Sequence, residues 1–207
     1  MSMRLMIAVP CLDYVHVDFM KSLVGLTQEL GRQHIAYDVE IAAGTLVYIA
    51  RNRLARKAIN EHYTHVLWLD SDMVFNEHIV DDLLFCEKEM VCGAFVSRRP
   101  PYGACVYTSI KPGQIGRVED FGTEPFQVDG CGFACVLTKV DLLRDVQTHF
   151  SNGSCFTPTE YYGEDLAFCW RVHQIGREIW CEPTVRPGHI CHVPIHVGEK
   201  PIMEADE

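Results

Sequence analysis

Apolar and polar positions in the first half of the chain follow two alternating patterns. Short continuous apolar runs predict buried strands at residues 5–9, 37–43, 66–69 and 90–96. Longer amphipathic segments between them predict helices at residues 15–31, 46–62 and 77–88. Strands that alternate with helices predict an α/β fold with a mixed, mainly parallel sheet flanked by helices.

The first predicted helix has a regular apolar pattern and a glycine at its end. Gly31 is expected to terminate it. The apolar positions at helical spacing are Val17, Met20, Val24, Thr27 and Leu30.

The second half of the chain has a different pattern. Residues 97–127 contain turn signals such as Arg98-Arg99-Pro100-Pro101 and predict a small antiparallel insertion. Strands are then expected at residues 132–137 and 178–181, and helices near 139–147 and 164–176. Without a repeat, a linker or a low-complexity tract, residues 1–207 are expected to form a single domain with a frayed tail at 197–207.

Composition excludes several classes of protein. With 48% hydrophobic and 22% charged residues in 207, the chain has enough apolar mass for a core and is not disordered. A net charge of −10 disfavours a protein that coats nucleic acid. No apolar run is long enough for a transmembrane helix, and the first residues do not resemble a secretion signal. The ten cysteines contain no Cys-x-x-Cys pair, so we expect reduced core thiols in a cytoplasmic protein.

Two carboxylates follow the third predicted strand where its apolar run ends. Asp70, Ser71 and Asp72 come directly after Leu69. Residues two apart in an extended chain point to the same side, and open α/β sheets bind ligands beyond the carboxyl ends of their strands. Paired carboxylates at this position predict a Mg²⁺ or Mn²⁺ site that also holds a diphosphate.

A second acidic pair opens the helix predicted at 164–176. Helical phase places Asp165 on the same face as Phe168 and Val172, and Glu164 about 100° away. An inward carboxylate of this kind suits a general base. Acids in a first turn also compensate the helix dipole, so both interpretations stay open.

A basic cluster lies on the second predicted helix. Arg53, Arg56 and Lys57 share a solvated face, whereas Arg51 lies on the side of Leu54. An inward arginine can brace an acidic site, meet a phosphate or form a buried pair with an aspartate.

The histidine-rich segment near the end of the chain has a metal-binding composition. Pro194 prevents the helix that would join His192 to His196, so a zinc cluster is disfavoured. A single histidine that completes another metal site fits better. The sequence contains no P-loop, no dinucleotide-binding fingerprint and no Gly-x-Ser-x-Gly elbow.

Taken in order, these segments resemble a glycosyltransferase of the GT-A fold, closest to the family 2-like group. The resemblance covers roughly residues 5–190. The blocks that carry it are the strand ending at Pro10, Arg51-Asn52, Leu67 to Asp72, Val91 to Phe95, Val128 to Leu137, Gly163 to Leu166, and His189.

The resemblance implies a nucleotide-diphosphate sugar as donor and Mn²⁺ or Mg²⁺ as cofactor. Asp70 and Asp72 match the residues that hold the ion, and His189 matches a late histidine ligand. Asp165 matches the base of inverting members, with Glu164 beside it. The implied reaction is hexosyl or pentosyl transfer with inversion, by a single displacement.

Other residues are expected at the donor from the same resemblance. They fall in a nucleotide-binding half of about residues 1–96 and an acceptor half of about 97–196. Gly130 and Gly132 fall where acceptor and donor sugar meet. The remaining nucleotide-site candidates are Pro10, Cys11, Asp13, Asp38, Arg51 and Ser71.

One departure leaves the nucleotide base open. The acidic turn that often follows the second strand is Ala42-Ala43-Gly44-Thr45 here. The acceptor is equally open among a saccharide, a lipid-linked sugar, a protein and a modified nucleobase. A metal-dependent nucleotidyl or phosphoryl transferase, and a non-catalytic nucleotide-sugar-binding module, are the alternative functions.

Overall fold

The computed structural model describes residues 2–150 and 154–191. Its helices are α1 (Val17–Arg32), α2 (Val47–Asn60), α3 (Ile79–Phe85), α4 (Val140–His149) and α5 (Glu164–Gln174). Its strands are β1 (Arg4–Pro10), β2 (Ala36–Ala42), β3 (His65–Leu69), β4 (Met73–Val74), β5 (Met90–Gly93), β6 (Val106–Lys111), β7 (Gln114–Arg117), β8 (Phe126–Val128), β9 (Gly130–Cys131), β10 (Cys135–Lys139), β11 (Ile179–Glu182) and β12 (Gly188–His189).

A seven-stranded sheet in the order β2-β1-β3-β10-β5-β11-β8 forms the centre of the fold. β1 is parallel to β2 and β3, and β5 is parallel to β11. β10 runs antiparallel to both of its neighbours, and β8 runs antiparallel to β11. The mixed, mainly parallel α/β class predicted from the sequence is confirmed.

Two smaller sheets lie apart from the central one. The antiparallel insertion expected near residues 97–127 is the sheet β7-β6-β9, although its third strand comes from Gly130–Cys131. The second small sheet, in which β12 pairs with β4, was not predicted from the sequence. Strands of two residues give no periodic signal, so only the structure reveals this pairing.

Both faces of the central sheet are covered, which explains why β1 is apolar at successive positions. Met6 and Ala8 pack on the face that carries α2, α4 and α5. Ile7 and Val9 pack on the opposite face with α1 and α3. A strand buried on both sides reads as a continuous apolar run and not as an alternating one.

Helix α1 is present as predicted, but it buries a different stripe of residues. The buried positions are Phe19, Leu23, Leu26 and Leu30. Val17 and Val24 are exposed, because the helix carries two apolar stripes and the larger side chains face the sheet. The helix also continues through Gly31 to Arg32, and the chain turns at His34, which has a φ of 57°.

Several predicted boundaries shift. The strand expected at 132–137 is β10, three residues later, and β5 ends at Gly93 instead of continuing to 96. The helix expected at 77–88 is the shorter α3. The expected tail at 197–207 lies outside the described residues.

All ten cysteines lie in the described ranges and all are free thiols. Seven are buried, which agrees with the predicted core role, and Cys191 is exposed. Among residues 2–150 and 154–191, no helix combines the length and apolar character needed to cross a membrane.

Candidate functional site

An open cleft of about 480 Å³ lies beyond the carboxyl ends of β1 and β3. The sheet order places these strands side by side, so the segment after Pro10 meets the segment after Leu69. Leu12 and Tyr14 are exposed at this cleft. Its polar lining includes sequence candidates from both segments: Cys11, Asp13, Asp70, Ser71 and Asp72. We call this space the large cleft.

A smaller cleft of about 160 Å³ lies beside the start of α5. Tyr107 on β6 and Gly132 form one part of its lining. Glu164 and Asp165 form another part. We call this space the small cleft; it brings three sequence candidates, Gly132, Glu164 and Asp165, together.

Arg51 connects the two clefts through its guanidinium. Nη2 donates a hydrogen bond of 2.8 Å to Oδ1 of Asp70, which lines the large cleft. Nη1 donates to Oε1 of Glu164 at 3.0 Å and to Oδ1 of Asp165. The side chain is 1% exposed, and its carbon Cζ lies 5.4 Å from the centroid of the Phe133 ring. Of the roles that the sequence left open for Arg51, the structure contains two: contact with an acidic cluster and a buried pair with an aspartate.

The local sequence explains how this bridge is built. Arg51 begins the second turn of α2 and faces the sheet, while the next residue, Asn52, accepts a hydrogen bond of 2.9 Å from the Phe156 amide. Beneath the guanidinium, Phe133 and Phe156 pack edge to face with centroids 4.9 Å apart. Apolar packing on one side and carboxylates on the other hold the guanidinium in place.

The electrostatics of this cluster are unbalanced, because three carboxylates share one guanidinium. Removal from water raises the pKa of Asp165 to about 7; Arg51 opposes the rise, and the charges of Glu164 and Asp70 add to it. Burial lowers the pKa of Arg51, but the three carboxylates outweigh that effect and the net pKa is raised. A carboxyl group with a pKa near neutrality can accept and release a proton under ordinary conditions.

The carboxylates of Glu164 and Asp165 converge on one partner, which helical phase does not predict. The sequence places them on different faces of α5, yet both carboxylates accept from the same nitrogen of Arg51. The guanidinium faces the first turn of α5, which both residues occupy, so the two side chains converge on it. A substitution of Glu164 would therefore also change the surroundings of Asp165.

Asp72 has partners different from those of Asp70. Its Oδ2 pairs with Arg98 and lies 3.4 Å from Nε2 of His189. β12 brings His189 to this point by pairing with Met73 on β4. Burial favours a higher pKa for Asp72, but the hydrogen bond with His189 and the charge of Arg98 lower it overall. The same hydrogen bond, in which the Asp72 carboxylate accepts, raises the pKa of His189.

The fold was compared with solved structures. It is similar to A197 from STIV over 92% of this chain and 86% of that chain, with 17% identity and a TM-score of 0.58. It is also similar to GalNAc-T7, in a structure with UDP, GalNAc and Mn²⁺, with 11% identity and a TM-score of 0.60. The fold is GT-A-like. The match covers 99% of this chain but 46% of GalNAc-T7, so the chain spans less than half of that protein. No family model and no curated protein sequence matches the chain.

Within this GT-A-like fold, the predicted ligands Asp72 and His189 have a donor arrangement that fits a divalent cation. Nδ1 of His189 donates a hydrogen bond of 2.9 Å to the Val96 carbonyl, so that Nε2 faces the Asp72 carboxylate. A carbonyl partner on one ring nitrogen is the usual support for a histidine that binds metal through the other. Nε2 and the carboxylate oxygen both carry lone pairs, so a proton or a cation between them makes their contact favourable.

Asp70 stands apart from that pair in the conformation described. Its carboxylate turns to Arg51, and within residues 2–150 and 154–191 no three Asp, Glu, His or Cys side chains converge as a metal-binding group. Each aspartate of the Asp-Ser-Asp segment is thus paired with an arginine, Asp70 with Arg51 and Asp72 with Arg98.

Four sequence candidates line neither cleft of the GT-A-like fold: Arg51 and His189, described above, and Asp38 and Gly130. Asp38 lies opposite Met6 within β2, and it accepts hydrogen bonds from the Tyr63 hydroxyl and Arg4. Gly130 lies in the core, where an added Cβ would be 2.8 Å from Cγ2 of Ile110. Its lack of a side chain therefore serves packing between β9 and its neighbours.

Arg98 and Tyr107 are the site residues that the sequence analysis did not select. Arg98 lies two residues after the apolar run ends at Val96 and starts an Arg-Arg-Pro-Pro segment, which was interpreted as a turn. Tyr107 lies on a strand of the antiparallel insertion, and sequence does not indicate which face of that insertion meets α5. The contact depends on β9, which joins β6 to the region of α5.

Proposed function

We propose that this chain is a glycosyltransferase that transfers a hexosyl or pentosyl group from a nucleotide diphosphate to an acceptor hydroxyl, with inversion. The observation that carries the proposal is the Arg51 bridge. It joins Asp70 in the large cleft to Asp165 in the small cleft through one guanidinium. The two ends of a displacement reaction, the leaving group and the base, then lie on either side of one side chain. The likeness to GalNAc-T7, whose structure holds UDP, GalNAc and Mn²⁺, supports this proposal.

In the proposed complex, the donor lies in the large cleft. Leu12 and Tyr14 supply exposed apolar surface at its lining for the nucleoside. Asp72 and His189, with Asp70, are the residues that would hold Mn²⁺ or Mg²⁺. When bound there, such an ion neutralises the negative charge of a diphosphate leaving group.

The acceptor enters by the small cleft in this proposal. Tyr107 offers a ring in the same cleft as Gly132 and Asp165. Asp165 accepts the proton of the acceptor hydroxyl while the oxygen forms a bond to the anomeric carbon. The bond from that carbon to the diphosphate oxygen breaks, and its electron pair leaves with the nucleoside diphosphate. Arg51 holds the Asp165 carboxylate in position throughout.

The test begins with ligand binding, because the acceptor is unidentified. Thermal stability of the whole chain is measured with a panel of nucleoside diphosphates and nucleotide-sugars, in Mn²⁺ and in EDTA. At least one nucleotide is expected to stabilise the chain in Mn²⁺ and not in EDTA. Asp72→Asn should abolish the effect of Mn²⁺. Asp141→Asn, an exposed substitution on α4, is the matched control and should retain it.

Product analysis then separates the proposed reaction from other transfers. Slow hydrolysis of the stabilising nucleotide-sugar should release free sugar and nucleoside diphosphate. Release of a sugar phosphate and a nucleoside monophosphate would indicate nucleotidyl transfer instead. The absence of turnover with every donor, despite binding, would indicate a binding module.

A further inference from the structure

Arg98 is placed to be more than a surface residue. Its guanidinium pairs with Oδ2 of Asp72, the oxygen that also faces His189. Half of its side chain remains exposed, and it lines the large cleft. It therefore contacts a proposed metal ligand, Asp72, and also lines the proposed donor site.

The charges of the large cleft give this position its importance. Asp13, Asp70 and Asp72 contribute three carboxylates to the lining. Among the described residues that line the cleft, Arg98 is the single lysine or arginine. Arg51 lies behind Asp70 and is 1% exposed, so its guanidinium is not available for direct contact with a ligand in the cleft. A diphosphate that enters this cleft meets like charge unless cations accompany it.

The backbone that carries Arg98 is held in place, so its side chain can turn without a change of fold. The Ser97 amide donates to the Gly103 carbonyl at 3.0 Å, and Val96 and Ala104 form an antiparallel bridge. The same segment presents the Val96 carbonyl to Nδ1 of His189. One short segment thus positions both partners of Asp72. Its Val96 carbonyl orients His189, and its Arg98 side chain pairs with Asp72 directly.

We propose that Arg98 has two positions in the donor cycle. In the empty cleft it occupies Asp72, and when a divalent cation takes that carboxylate it turns to the diphosphate of the donor. The inference rests on the proposed function, because it assigns this residue to the donor's diphosphate. It makes Arg98 both a competitor of the free cation and a ligand of the nucleotide.

Arg98→Gln tests both roles, since it removes the charge at a similar side-chain length. Mn²⁺ alone, followed by electron paramagnetic resonance, should bind roughly two- to fivefold more tightly to the variant, because a half-exposed ion pair no longer competes. The nucleoside diphosphate found by the stability screen, titrated in saturating Mn²⁺, should bind about tenfold or more weakly, because a charge-assisted contact is lost. The two affinities move in opposite directions, which a general disturbance of the cleft would not produce.

Two further variants serve as controls. Arg99→Gln changes the adjacent exposed arginine, which does not line the cleft, and should leave both affinities within about twofold. Arg98→Lys retains the charge and should recover most of the nucleotide affinity. If wild type binds the nucleotide but Arg98→Gln leaves both affinities unchanged, or moves them in the same direction, the inference is wrong and the proposed function stands. If wild type binds no nucleoside diphosphate at all, both are wrong.

Discussion

Arg51 on α2 donates a hydrogen bond to Oδ1 of Asp165 on α5, across 114 positions of sequence. Asp70, which lines the large cleft, and Glu164, which lines the small cleft, share the same guanidinium. Three carboxylates share one buried counter-charge, so a change at any of these four residues should alter the stability of the fold.

Replacement of Arg51 should therefore destabilise the chain strongly. Arg51→Met leaves three carboxylates without their counter-charge, and we expect a loss of about 3–5 kcal/mol in the free energy of unfolding at pH 7. The loss should be smaller at pH 5, where Asp165, with a pKa of about 7, holds a proton. Urea denaturation at both pH values measures it. Arg53→Met, an exposed change on the same helix, should stay within about 0.5 kcal/mol. An equal loss at pH 5 and pH 7 would show that packing, not charge, is responsible.

Asp165→Asn should separate catalysis from donor binding. The amide keeps the shape of the side chain but cannot accept the acceptor's proton, so sugar transfer or donor hydrolysis should fall by roughly 10²–10⁴-fold. Nucleotide affinity should change little, since Asp165 lines the small cleft and not the large one. Steady-state rates and calorimetric binding are measured on the same preparation. Retention of full turnover would assign the base to another residue, with Glu164 as the nearest carboxylate.

The same substitution should change how stability depends on pH. The folded chain holds a proton on Asp165 up to a pKa of about 7, whereas the unfolded chain releases it near 3.8. The contribution of this group is fully present below about pH 4 and is lost as pH rises through about 7. Relative to Asp165→Asn, wild type should therefore lose at least about 1 kcal/mol between pH 4 and pH 8. Parallel pH profiles for the two proteins would contradict the raised pKa.

Gly130→Ala distinguishes a packing glycine from a ligand-binding one. The added Cβ would lie 2.8 Å from Cγ2 of Ile110 and 3.1 Å from Cδ2 of Leu166, so we expect destabilisation by about 1–3 kcal/mol. Nucleotide affinity should be unchanged. Gly31→Ala, within α1 and with open space around the new Cβ, is the control and should stabilise by roughly 0.5–1 kcal/mol. A loss of nucleotide affinity without a loss of stability would instead indicate that Gly130 contacts the donor.

The sequence predicts the large elements of this fold because each of them has a strong periodic signal. It does not predict which stripe of α1 is buried, since Val17, Met20 and Val24 are spaced as regularly as Phe19 and Leu23. Only the position of the sheet decides between two such stripes. The pairing of β12 with β4 is equally invisible, because two residues carry no period.

The residues of the candidate site also divide into those that the sequence predicts and those that it does not. Asp70, Asp72 and Asp165 were selected from strand ends and helical phase, and the structure places the first two at the large cleft and Asp165 at the small cleft. Asp38 was selected from the resemblance alone, but a residue in mid-strand is fixed by its neighbours, here by Arg4 on β1 and the Tyr63 hydroxyl. Arg98 was interpreted as part of a turn because charge pairs between distant segments leave no local pattern.

The order of strands in the central sheet has a consequence for synthesis of the chain. β10 lies between β3 and β5, although it is made after both of them. A nascent chain that has just completed β5 has no partner for the facing edges of β3 and β5, and both stay unpaired until Cys135–Lys139 has been translated. Residues 1–96 released as a fragment would expose those two edges, which are sites for aggregation. A ribosome that pauses between β5 and β10 would therefore leave the chain at its most vulnerable stage.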